Sequence, residues 1–118
     1  MSYKAIGLTK YKNTVVGSGQ CVAFVKVCAK APATSFWKGG VKVKGNSIGK
    51  GTAIATFVDG KYLNNSSGNH AAILIEETDI GLQVWDQWIG QPVHIRTIRF
   101  KGGGGSPSND GDAFSVIE

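Results

Sequence analysis

The spacing of apolar positions changes character partway along this chain. Between Gln20 and Lys30, Val22, Phe24, Val25, Cys28 and Ala29 form one stripe at helical spacing, and Ser18 in Gly17-Ser18-Gly19 is placed to cap it. Ala31-Pro32 ends the helix. Residues 33–51 hold Trp37, Gly39-Gly40, Lys42, Lys44 and Gly45-Asn46 without a sustained period, which predicts a basic, glycine-punctuated loop with one helical turn near 34–37. From Thr52 onward the spacing is that of strands, over 52–58, 70–75, 82–88, 93–100 and 113–117. Asp59-Gly60 is a hairpin signal leading back through Lys61-Tyr62-Leu63, Asn64 to Asn69 is a polar loop, and four glycines at 102–105 open a flexible excursion. One N-terminal helix followed by an antiparallel meander is an α+β layout.

At 118 residues the chain has room for one domain, 1–118, and 42% hydrophobic against 18% charged residues is a composition that folds. No run of 18 apolar residues is present, so no membrane insertion is expected. The first twelve residues carry Lys4, Lys10 and Lys12 but no apolar core of a signal peptide, which predicts synthesis in the cytoplasm and export, if any, by another route. The net charge of +5 is unevenly distributed: residues 1–61 carry +9 and residues 62–118 carry −4. Such a field attracts anionic partners. Nucleic acid is disfavoured among them, because only two of thirteen basic residues are Arg and no helical basic stripe is present.

Cys21 is the sharpest chemical feature. It lies in the first turn of the predicted helix, where the helix dipole and unpaired backbone N–H groups favour a thiolate. The competing role is that of a small buried hydrophobe, which fits Cys28 better. A disulfide between them is not expected, since two helical turns separate them by about 10.5 Å along the axis. A nucleophilic cysteine needs a base, and only His70 and His94 are available. His70 opens a strand beside a polar loop, whereas His94 alternates with apolar neighbours. A symmetric hairpin centred near Thr78 puts residue 86 or 87 opposite His70, and strand alternation sets Asp86 on the face of Leu82, Val84 and Trp88. A carboxylate on that apolar face needs a hydrogen-bond partner, and an imidazole supplies one. The residues thus order as Cys21, His70 and Asp86: thiolate, base and orienting carboxylate.

The two cysteines and two distant histidines do not match a zinc-ligand pattern, and Asp110-Gly111-Asp112 lacks the other positions of a calcium loop, so no metal is expected. Gly102 to Gly105 lacks the following Lys-Ser/Thr of a phosphate-binding loop.

Four blocks, Gly19-Gln20-Cys21-Val22-Ala23-Phe24-Val25, Gly51-Thr52-Ala53-Ile54-Ala55-Thr56-Phe57, Gly68-Asn69-His70-Ala71-Ala72-Ile73 and Val84-Trp85-Asp86-Gln87-Trp88, resemble in order those of the CHAP and NlpC-type papain-like cysteine peptidases. The similarity runs from about residue 17 to residue 100 and is greatest to the small amidase effectors (Tae superfamily) that bacteria deliver into rivals by type VI secretion. Asp86 departs from the Glu, Asn or His usual at the third position. The resemblance implies a papain-like fold and hydrolysis of an amide in peptidoglycan stem peptides, with no cofactor. It further implies Cys21 as nucleophile, His70 as base, and an oxyanion site made by the Cys21 backbone N–H with Gln20 beside it. Of the bonds such effectors cut, the D-alanyl to diaminopimelate crosslink is preferred over D-glutamyl to diaminopimelate. A cognate immunity protein and delivery to the periplasm of a target cell also follow from the resemblance.

Trp37, Trp88, Lys42 and Lys44 are the substrate-binding candidates, with the basic half forming one rim of the cleft. The alternative is a non-catalytic wall-binding or antagonist module that would use the basic half with Trp37, Trp85 and Trp88.

Overall fold

The computed structural model describes residues 2–118. One helix, α1 (Cys21–Cys28), precedes six strands: β1 (Gly39–Lys42), β2 (Ala53–Thr56), β3 (Ala71–Glu77), β4 (Gly81–Trp88), β5 (Gln91–Arg99) and β6 (Phe114–Ile117). All neighbouring strands are antiparallel, in the order β1-β6-β2-β3-β4-β5. The α+β layout is as expected, but the meander holds only from β2 to β5. The terminal strand inserts between β1 and β2, pairing Ile54 with Val116 on one side and Gly39 with Ile117 on the other. The segment expected to be loop with one helical turn forms that turn at Thr34–Phe36 and also supplies an edge strand, whose alternation is hidden because its four residues include two glycines.

The helix is short and starts one residue later than expected. Gln20, with extended backbone, is its N-cap and no side chain caps it; Ser18 Oγ accepts only the Gln20 N–H, at 3.4 Å. Gly19, at φ 88°, makes the turn that delivers the chain to the helix start. Ala29 ends the helix, Lys30 follows in the left-handed region at φ 57°, and Pro32 blocks continuation. Val22, Ala23, Phe24 and Val25 are buried in consecutive positions, so the helix is held by packing and not by propensity.

Strand alternation divides the core. On the helix side of the sheet, Phe24 and Val25 pack with Ala53, Ala55, Ala71, Ile73, Trp85 and Val93. On the far side, Ile54, Ala72, Leu74, Leu82, Val84 and Ile98 pack with Val43 and Phe114. Lys44, just past β1, lies 4.6 Å over the Phe100 ring just past β5, so the two edges of the sheet approach each other across this far face.

The β3–β4 hairpin is not symmetric about Thr78. Ile73 pairs with Trp85 and Leu74 with Val84, then a bulge shifts the register so that Glu76 meets Gln83. Continued past Ile73, that register sets Ala72 level with Asp86 and Trp88 level with His70. His70 and Asp86 therefore share a face as diagonal neighbours, not as the directly opposed pair expected. The Asp59-Gly60 turn forms as expected, with φ of 51° and 76° and reciprocal bonds between Val58 and Lys61 of 2.9 and 3.0 Å. It returns the chain as Tyr62 and not as a strand of the sheet.

Candidate active site

The start of α1, the end of β4 and the residue preceding β3 converge at one edge of the helix-sheet interface. A cavity of about 460 Å³ opens there, lined by Gln20, Cys21 and Val22, by Tyr62 and the Asn64 to Asn69 loop, and by His70, Trp88 and Ile89. Cys21 is partly exposed at its floor, and the His70 ring is almost fully buried beside it.

His70 Nε2 lies 2.7 Å from Asp86 Oδ2. Asp86 is fully buried and cannot ionise there without partners. It has three. Arg96 Nε donates to the same Oδ2 at 2.7 Å. His94, paired directly with Asp86 across β4 and β5, brings Nε2 to 2.8 Å from Oδ1. These last two atoms do not align as a hydrogen bond, so the contact is electrostatic only. Burial drives the Asp86 carboxyl up, but the hydrogen bonds and charges of His70 and Arg96 outweigh it and hold the group below the usual carboxylate range. An ionised Asp86 can only accept, which assigns the Nε2 proton to His70 and leaves Nδ1 toward Cys21.

Cys21 hydrogen-bonds His70, the Ala71 backbone N–H and the Tyr62 hydroxyl. Burial pushes its thiol up, and these three donors together with the His70 charge bring it below the ordinary cysteine value. Burial likewise lowers His70, but Asp86 and the Cys21 thiolate raise it to about 9. At neutral pH both shifts favour a thiolate and imidazolium pair.

The nucleophile's backbone is fixed from behind. Gln87, fully buried on β4, accepts the Val16 N–H at 2.9 Å and donates to the carbonyls of Val16 and Gln20 at 2.8 and 2.9 Å. The residue before Cys21 is thus tied to the strand that carries Asp86. The backbone N–H of Cys21 belongs to the first helical turn, whose donors have no preceding carbonyl to meet.

The structure brings Cys21, His70, Asp86, Gln20 and Trp88 together. Trp88 is 40% exposed and packs edge-on against His70 and His94, with Arg96 stacked 5.0 Å from its ring. The other binding candidates lie elsewhere. Trp37 is 3% exposed, donates to the Pro32 carbonyl at 2.9 Å and packs 5.0 Å from Tyr62, so it is a core residue. Lys42 and Lys44 hold the Asp112 carbonyl and carboxylate, at 3.1 and 2.8 Å. None of Lys38, Lys42, Lys44 and Lys50 lines the cavity; its walls are amides, hydroxyls and apolar side chains. The expected basic rim is corrected accordingly: the lysine-rich segment follows β1 around the far edge of the sheet.

Sequence reasoning did not single out Tyr62, Gln87 or Arg96, and gave His94 no partner. Arg96 and His94 were within reach, since both share the Asp86 face if β4 and β5 pair without offset. Tyr62 carried no signal, because its place depends on where the Asp59-Gly60 turn sends the chain. Among the described residues no cluster of three or more potential metal ligands occurs.

A family model described as domesticated amidase effector 2 matches residues 3–117. A type VI secretion amidase effector 2 protein of Salmonella typhi is 36% identical over 112 residues, covering 84% of each chain. A domesticated amidase effector 2 of Ixodes scapularis is 43% identical over 110 residues, covering 87% of this chain and 73% of its own length. Among solved structures, a type 6 secretion amidase effector 2 (Tae2) superimposes with a TM-score of 0.84 at 34% identity, over 98% of this chain and 94% of the other.

Proposed function

The chain belongs to the domesticated amidase effector 2 family and is an amidase of the type VI effector kind; from that premise we propose that it hydrolyses an amide of peptidoglycan stem peptides through Cys21, His70 and Asp86. The observation that carries this mechanism is the open cavity over a cysteine whose hydrogen-bonded histidine is in turn held by a buried carboxylate. In it, the Cys21 thiolate attacks the substrate carbonyl carbon, forming a C–S bond while the carbonyl electron pair moves to oxygen. The Cys21 backbone N–H at the helix start meets that oxyanion, with Gln20 at the cavity edge. Collapse of the intermediate breaks the C–N bond, and His70 gives its proton to the leaving amine. His70, now neutral, takes a proton from water. The resulting hydroxide adds to the acyl carbon, and the second collapse breaks C–S, releasing the acid and the thiolate.

The bond assigned is the D-alanyl to diaminopimelate crosslink, on family resemblance. Delivery to the periplasm of a target cell and a cognate immunity protein that covers the cavity belong to the same proposal. The wall-binding alternative keeps only Trp88 of its three tryptophans, because Trp37 and Trp85 are buried, and the lysines lie away from the cavity.

Mass spectrometry of muropeptides after digestion of sacculi tests both activity and bond. Crosslinked dimers should give way to monomers with free D-alanyl termini, and Cys21→Ala and His70→Ala should abolish this while keeping the fold. Activity retained in Cys21→Ala would refute the mechanism. Accumulation of stems that end at D-glutamate, in place of monomers with free D-alanyl termini, would move the cut to the D-glutamyl bond.

A further inference from the structure

Tyr62 belongs to none of the motif blocks, yet its hydroxyl is 3.9 Å from Cys21 Sγ and 3.3 Å from Asn69 Nδ2. A phenol has one proton to give, and its direction follows from Asn69. Asn69 Oδ1 accepts the Asn65 backbone N–H at 2.7 Å. Turning the amide over would set an NH2 group against that N–H, so the Nδ2 end faces Tyr62, and an amide nitrogen can only donate. The Tyr62 oxygen is therefore an acceptor toward Asn69, and its own proton is left for Cys21. The ring is held by packing on Trp37 at 5.0 Å and Phe57 at 6.3 Å, while the hydroxyl remains free to turn about its C–O bond. Burial, and then the Cys21 charge, push the phenol well above its ordinary value, so it stays protonated at any working pH.

Resting on the cysteine amidase reading, we propose that Tyr62 is a catalytic residue. Its hydroxyl, oriented by Asn69, donates to the Cys21 thiolate in the free enzyme and to the substrate oxygen in the tetrahedral intermediate. Negative charge passes from sulfur to oxygen as the C–S bond forms, both atoms are bonded to the same carbon, and the hydroxyl lines the cavity in which this happens. At 3.9 Å it is not locked to sulfur and can follow the charge. The proton stays on the phenol throughout.

Tyr62→Phe deletes the hydroxyl and keeps the ring packing, which makes it the discriminating variant. Its kcat on peptidoglycan should fall about 10- to 100-fold with KM changed less than about threefold. The pH midpoint for alkylation of Cys21 by iodoacetamide should rise by roughly half a unit or more. Asn69→Asp keeps the acceptor for Asn65 but draws the Tyr62 proton away from Cys21, so it should lower kcat strongly with Tyr62 present and much less in the Tyr62→Phe background. Wild-type kcat in Tyr62→Phe, or equal losses from Asn69→Asp in both backgrounds, would overturn the proposal. Alkylation needs no turnover. If the wild-type chain failed to cleave peptidoglycan, the proposed function and the substrate half of the Tyr62 role would fall together, whereas a raised alkylation midpoint would still uphold donation from Tyr62 to the thiolate and an unchanged one would overturn it.

Discussion

His70 Nε2 and Asp86 Oδ2 meet at 2.7 Å as diagonal neighbours across a bulged hairpin, with Trp88 level with His70 in the position a direct partner would hold. The diagonal leaves room for Arg96 on the same oxygen and for His94 beside the other. Three basic side chains therefore surround one buried carboxylate, and His70 and Arg96 together hold it ionised.

Asp86→Asn removes the charge that helps raise His70 to about 9 and leaves Arg96 nearby unopposed. The wild-type pH profile of kcat/KM should rise through the lowered thiol value and fall near pH 9. In Asp86→Asn the alkaline limb should move down by roughly one unit or more, and the acid limb should move up as the thiol loses part of its imidazolium partner. A profile with unchanged limbs would argue that Asp86 only fills space.

Asp86→Ala also bears on stability. It strands a buried cationic environment, a change that costs about 3–5 kcal/mol when one member of a buried pair is deleted. Chemical denaturation at pH 7 checks the figure. A partial rescue by Asp86→Ala combined with Arg96→Met is expected, because the stranded charge is then gone.

His70 carries its own pH signature in thermal unfolding. Its folded value of about 9 lies above the ordinary 6.5, so the stabilisation from its partners is complete below pH 6.5 and is lost as pH rises through 9. Tm should fall between pH 7 and pH 10, and this fall should be smaller in His70→Gln. Equal slopes for the two proteins would count against a raised His70.

Gln87→Leu keeps roughly the volume of a fully buried side chain but abandons three hydrogen bonds to Val16 and Gln20. Leaving those backbone groups unpaired should cost about 2–4 kcal/mol. The N-cap of the nucleophile helix is then untied from β4, so kcat should fall at temperatures where the variant is still folded. Circular dichroism melts and steady-state rates on the same sample separate the two effects.

The tryptophans should part company. Trp37→Ala should cost about 3–5 kcal/mol as a large core truncation, with KM unchanged in whatever fraction remains folded. Trp88→Ala, at the cavity wall, should lower kcat/KM about tenfold with a smaller change in Tm. Lys42→Ala and Lys44→Ala should leave KM unchanged, since neither lines the cavity.

What this sequence determined by itself is what short-range patterning can carry. The helix opening at Cys21, five of the six strands, the Asp59-Gly60 turn and the face on which Asp86 lies all follow from spacing over fewer than about ten residues, because side-chain direction repeats with the local backbone. Those same signals gathered Cys21, His70 and Asp86 into one site. Tertiary structure decided the rest. Strand β6 is placed between β1 and β2 by pairing partners some sixty to eighty residues apart, and the turn beyond Thr78 together with the bulge after Leu74 sets His70 level with Trp88, which makes Asp86 its diagonal neighbour. Trp37 turns into the core because Pro32 and Tyr62 are there to receive it, and the lysines follow β1 away from the cavity. Tyr62, Gln87, His94 and Arg96 acquire their roles from groups that only the packed chain brings within hydrogen-bonding or ion-pair reach. Burial then fixes the chemistry: the same thiol, imidazole and carboxyl would titrate ordinarily in the open chain, and only their mutual contact out of water moves them apart.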